Sequence, residues 1–176
     1  MEIQKASVKK IALPYGAVLG LITILLSVIV YVMGLTYEQP WWQGALGFVA
    51  MIICILIGIK TFKKDNAGFL SLGEALKVGL AISLIAAIFG VIFNLIFMTV
   101  IEPDFIPNML AATEDNMLEE NSNMTQEQID MAMGITETMM SPAIISAMAI
   151  IMTLFFGFII SLITGLVMKV NRPAHI

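Results

Sequence analysis

Charge disappears from this chain in four long blocks. No Asp, Glu, Lys, Arg or His occurs in 11–37, 39–59, 78–101 or 138–168, windows of 27, 21, 24 and 31 residues. An α-helix rising about 1.5 Å per residue needs roughly 20 residues to cross about 30 Å of hydrocarbon. Each block reaches that length. The pattern therefore predicts four transmembrane helices, over about 11–35, 41–61, 72–101 and 142–168, within a single membrane domain that takes in 1–176. The segment 102–141 between the third and fourth spans is too long for a plain turn and is expected to lie outside the membrane.

Local punctuation sharpens these limits. Ser71 stands three residues ahead of Glu74, the capping-box spacing, so the third span should start at Leu72 with its first two turns in the interface. Ser141 before Pro142 marks the start of the fourth. Within 102–141, Pro103 and Pro107 end the third span and Pro107 can open a helix. Thr125 with Gln128 repeats the capping-box spacing and opens a second helix, which Gly134 weakens. The expected fold is all-α: four transmembrane helices with a helix-turn-helix excursion between the third and fourth, turning near Asn121, Ser122 and Asn123.

Composition removes whole classes of function. With 59% apolar and 12% charged residues, against about 45–50% and about 25% in soluble domains, the chain is no nucleic-acid binder, disulfide scaffold or disordered tail. Its one cysteine, Cys54, lies mid-span and reads as a small buried apolar residue. The first apolar run is longer than the roughly 7–15 residues of a signal-peptide core, so it is expected to be a retained anchor.

Charge placement predicts orientation. All nine cations, at 5, 9, 10, 60, 63, 64, 77, 169 and 172, fall on one side with three carboxylates; the other side holds ten carboxylates and no cation. Loops rich in Lys and Arg stay cytoplasmic, so both termini are expected inside and 102–141 outside. Tyr37, Trp41 and Trp42 would anchor the outer headgroup level.

Three constellations carry candidate chemistry. Seven of fourteen methionines sit in 102–141, and Met117, Met124 and Met131 keep a seven-residue step. With Met109 and Met133 they form a candidate interaction face of adaptable apolar side chains, the alternative being soft thioether ligands for Cu(I). The acidic residues around them lack an EF-hand pattern and read as a solvated face, so no metal or cofactor is expected. Small residues mark helix-packing seams: Gly16 and Gly20 in span one; Gly79, Ser83, Gly90 and Asn94 in span three; Gly157, Ser161 and Gly165 in span four. These seams are either internal or between protomers. Asn94 is the strongly hydrogen-bonding residue in mid-membrane, expected to bond across to another helix, with pore lining as the other reading. Pumps and secondary transporters usually place Asp, Glu, His, Lys or Arg in the bilayer, and the four charge-free blocks within these spans hold none. The single histidine is His175, and no phosphate loop or metal motif occurs, so an intrinsic enzyme is not expected.

The succession of PYGAVLGLITILLSVIVYVMG, GIKTFKKDNAGFLSLGEALKVGLAISLIAAIFGVIFN, IEPDFIPNML and MTQEQIDMAMGITETMMSP before a last apolar span resembles the bacterial family catalogued as domain of unknown function 4199. The resemblance runs from about Val8 to Met168 and is most specific over Gly68 to Gly79 and Glu102 to Leu110. It implies a small four-span protein of the bacterial inner membrane with a Met-rich, acidic external segment, and carries no assigned activity or site residues.

The function expected is that of a structural or interaction module in the bacterial inner membrane, presenting its acidic, Met-rich segment to a protein partner or to its own copies. The alternatives are a small channel lined by Ser83, Gly90, Asn94, Thr153 and Ser161, or a Cu(I)-handling protein.

Overall fold

Each apolar block becomes one long helix. The computed structural model describes residues 6–120 and 125–172, which form α1 (Val8–Val32), α2 (Trp41–Asp65), α3 (Leu72–Ile96), a π-helical turn (Phe97–Ile101), α4 (Phe105–Glu120), α5 (Gln126–Met139) and α6 (Pro142–Met168). Four are long and apolar enough to cross a membrane: α1, α2, α3 with its π-helical extension, and α6, at 25, 25, 30 and 27 residues. The protein is an all-α membrane protein with two further helices, α4 and α5, forming a hairpin beyond one end of the bundle. The expected turn at 121–123, together with Met124 and His175, lies outside the described residues.

Backbone chemistry sets the helix ends. At Gly34 (φ 73°) the chain turns left-handed, and the amides of Gly34 and Leu35 return to the carbonyls of Tyr31 and Val30 in a Schellman motif that stops α1 at Val32. Both capping boxes form, Ser71 with Glu74 and Thr125 with Gln128. At the start of α6, Pro142 takes the first turn, but the Ser141 side chain makes no capping bond. Met140 and Ser141 are all that separates α5 from α6, and their amides are held by the carbonyls of Thr136 and Thr138.

The spanning helices pack tightly at one end only. Among the described residues α1 buries positions from Ile11 to Gly20, α2 from Met51 to Phe62, α3 from Ala75 to Ala87 and α6 from Gly157 to Gly165. All four stretches belong to the end where α1 begins and α6 finishes. Towards the hairpin, the spanning segments bury just Val30 and Met98 among the described residues. The central helix is α3, flanked by α1 and α6, with α2 packing on all three.

Glycine explains the tight end. A Cβ on Gly16 would lie 2.7 Å from the Ile85 Cβ, and one on Gly20 would lie 2.6 Å from the Phe89 Cβ, so α1 and α3 meet backbone to side chain. Between α3 and α6 the contact is reciprocal. Gly79 faces Ser161, Gly157 faces Ser83, and in each case a new Cβ would fall on the opposing hydroxyl. Gly165 closes the same seam against Ala75 and Leu72. The two serines donate their hydroxyl protons to the carbonyls of Gly79 and Gly157 on their own helices, so the seam buries them without an unpaired donor. Close approach of this kind drives helix association in lipid, where burial against another helix gains little over burial against lipid tails.

A polar clasp completes this end. Leu70 and Val170 exchange two backbone hydrogen bonds of 2.9 Å in an isolated antiparallel bridge. Asn66, 1% exposed, donates to the Phe69 carbonyl at 3.0 Å and to Glu74 Oε1 at 3.3 Å, and accepts from Arg172 Nη2 at 2.8 Å. The link between α2 and α3 is thereby pinned to the segment following α6.

Candidate functional site

Where the helices part, towards the hairpin, they leave a cavity of about 650 Å³. Its walls come from α1 (Thr23 to Ser27), the start of α2, α3 from Gly90 to Asn94 with Phe97 beyond, and Ala149 of α6; Phe105 and Met109 of α4 line its hairpin side. No lining residue carries a formal charge.

Three glycines make the space. An added Cβ at Gly44, Gly47 or Gly90 would meet nothing within 4 Å, and all three line the cavity. Gly90 was expected at a packing seam, and this corrects it. It shares a helix face with Ser83 by spacing, but α3 and α6 have parted before it is reached.

Asn94 needs the same correction. No hydrogen bond joins its side chain to another helix among the described residues, and the residue lines the cavity. Two of the three lining hydroxyls are engaged: Thr23 donates to the Gly20 carbonyl at 2.8 Å and Ser27 to the Thr23 carbonyl at 3.1 Å, while Thr36 is the third. Gln43 Nε2 donates to Ser27 Oγ at 3.3 Å, leaving its carbonyl and second amide proton free. The suggested pore residues do not line one shared space among the described residues. Ser83 and Ser161 are sealed at 0% exposure in the α3–α6 seam, while Gly90 and Asn94 open on the cavity.

Aromatic rings and one carboxylate brace the hairpin side of the cavity. Glu102, placed just after the π-helical turn, accepts hydrogen bonds from the Tyr31 hydroxyl (3.3 Å) and the Tyr37 hydroxyl (3.2 Å). Asn108 Nδ2 donates to the Tyr37 oxygen at 3.0 Å. The Phe97 ring meets Tyr31 and Phe105 edge-on at centroid distances of 5.3 and 5.5 Å, and Tyr37 stacks on Phe105 at 6.1 Å. This brace ties α1, the α1–α2 link, α3 and α4 together. Sequence reasoning assigned Tyr37 a headgroup role and gave Tyr31, Glu102 and Phe105 none. The signal was the specificity of the stretch from Glu102 to Leu110, here the point where the hairpin joins the bundle.

Among the described residues the candidate methionines do not share one exposed face. Met109 is buried and receives Gln39 Nε2 on its sulfur at 3.6 Å; Met117 and Met133 are half-buried, and Met131 is 65% exposed. The break between α4 and α5 interrupts the seven-residue step, so Met117 and Met131 belong to different helices. What α5 does expose is Met131, Ile135 and Met139, in line at four-residue intervals, while Ile129 on its other side is buried.

A four-span helical membrane protein with a sealed end, a cavity and a helical hairpin is thus the class that fold and site define. The chain belongs to the family described as Protein of unknown function (DUF4199), whose model matches residues 14–170. No curated protein and no solved structure matches it.

Proposed function

We propose that the protein is an interaction module of the bacterial inner membrane, in which the four-helix bundle is the base and α5 the docking element. The observation that carries this reading is the line of Met131, Ile135 and Met139, at 65%, 59% and 56% exposure on a helix that also bears Glu127, Asp130 and Glu137 and no cation. An apolar stripe beside carboxylates suits a protein partner offering an apolar strip with a basic rim. A lipid surface suits it less, because anionic headgroups repel an acidic helix.

Orientation belongs to the same proposal. The cations at the sealed end support cytoplasmic termini and an external hairpin. In a Cys54→Ala background, a thiol at exposed Asn116 should react with an impermeant maleimide in intact cells, and one at exposed Lys64 only after lysis. The reverse pattern would invert the topology.

Docking is tested by a photo-crosslinking amino acid at Ile135 in native membranes. One discrete protein adduct is expected, lost both when Met131 and Met139 are replaced by Asp and when Glu127, Asp130 and Glu137 are replaced by Lys. Adducts to lipid alone, or a protein adduct indifferent to both sets of changes, would overturn the reading.

A further inference from the structure

Glycine plays two opposite parts in this bundle. In the sealed half it lets helices touch, the usual return on a residue that costs a helix about 1 kcal/mol relative to alanine. At Gly44, Gly47 and Gly90 no helix approaches, and the missing side chains become empty volume on two different helices, α2 and α3, around one space. At about 650 Å³ that space falls within the range of small-molecule sites, roughly 300–1,000 Å³.

The lining restricts what can enter. It carries no ionisable side chain, and the nearby Glu102 has each oxygen held by a tyrosine hydroxyl, so a charged guest would find no counter-charge in the walls. Phe93, Phe97 and Phe105 supply aromatic wall for an apolar body. The hydroxyl protons of Thr23 and Ser27 are committed to their own helix, which leaves recognition mainly to three lining amides: among the described residues Asn94 makes no side-chain hydrogen bond, while Gln43 and Gln39 each spend one donor, on Ser27 Oγ and on the Met109 sulfur, and keep the other donor and the carbonyl; the Thr36 hydroxyl adds a further polar group. An amide can meet a donor or an acceptor. We propose that the cavity is a binding site for an uncharged amphiphile, whose apolar body packs on the phenylalanines and whose polar group hydrogen-bonds Asn94 and the lining glutamines. The site stands independently of any partner docked on α5.

Two dyes that share one scaffold and differ in charge provide the test. N-phenyl-1-naphthylamine is neutral with a single N–H donor, and 8-anilino-1-naphthalenesulfonate adds a sulfonate. With the full chain in phosphatidylcholine nanodiscs, energy transfer from Trp41, which lines the cavity, to the neutral dye should saturate above the empty-disc background. The sulfonate should give no saturable signal. Gly90→Phe and Gly47→Phe each fill open space, so each should weaken binding at least tenfold without lowering the thermal midpoint. Asn94→Leu should weaken it about tenfold through loss of the hydrogen bond. Organic extraction of the purified protein separates the sources of a natural occupant: a neutral lipid present in the wild type and missing from Gly90→Phe marks a membrane-derived guest, and dye binding without such a lipid marks a free one. Signal no greater than empty discs, equal saturable binding of both dyes, or undiminished binding by a folded Gly90→Phe protein would overturn the proposal. Should either phenylalanine lower the thermal midpoint, the dye pair on the wild type decides.

Discussion

Gly79→Leu is expected to lower the unfolding free energy in bicelles by about 3 kcal/mol, the upper end of the usual cost of overpacking. The side chain would begin where the Ser161 hydroxyl already sits, with the Ser161 Cβ 2.7 Å from its first carbon and Ile55 Cγ2 at 3.3 Å. Both neighbours belong to fully buried residues, so neither can swing out into lipid. The same substitution at Gly90 should cost nothing and can gain up to about 1 kcal/mol of helix propensity, because no neighbouring helix or side chain lies within 4 Å of the new carbon. A double-mutant cycle isolates the contact: Gly79→Ala should be destabilising alone, and pairing it with Ser161→Gly should recover at least half the loss, since that change removes both atoms of the clash. Additive losses would mean that the reciprocal glycine-serine seam is not what holds α3 to α6.

Asn66→Leu should have an effect of similar size, again about 3 kcal/mol, for a different reason. Leucine nearly conserves volume, so the cost isolates the hydrogen bonds to the Phe69 carbonyl, Glu74 and Arg172 at a residue 1% exposed. Two of those partners are charged, and bonds to charged groups are the stronger kind. Arg172→Ala should cost only about 1 kcal/mol, because Arg172 is exposed and water replaces its partner. Hydrogen exchange supplies the local readout: the amides of Leu70 and Val170 should lose protection in Asn66→Leu while those of the α3–α6 seam keep theirs. Unchanged protection at Val170 would show that the backbone bridge holds without the clasp.

Much of the architecture was legible because the bilayer imposes length on any helix that crosses it. Charge-free blocks had to become helices of 25 to 30 residues, and Ser71-Glu74 and Thr125-Gln128 had to cap, since orphaned backbone amides leave few alternatives at a helix start. The expected seams at Gly16, Gly20, Gly79, Gly157 and Gly165 fall where helices do approach closely, because small residues at four-residue spacing are what such approach requires. Gly90 and Asn94 carry the same signature at the same spacing on α3. Nothing in the letters separates them from Gly79 and Ser83.

That separation is made by how the helices splay. Spacing along one helix states which residues share a face, but not whether another helix arrives there, and here α3 meets α6 over Gly79 and Ser83 and has left it by Gly90. The two stretches that gave the family resemblance its specificity proved to be the fastenings at opposite ends, Gly68 to Gly79 beside the Asn66 clasp and Glu102 to Leu110 at the Tyr31–Tyr37 brace. Each joins residues far apart in sequence: Asn66 with Arg172, and Tyr31 with Glu102. The sequence by itself determined that four helices cross a membrane, where they start and which faces are small, because those follow from hydrophobic length and local backbone chemistry. Only the tertiary structure decided which small faces are contact and which are cavity, because that depends on the angle between helices, a property no single helix carries.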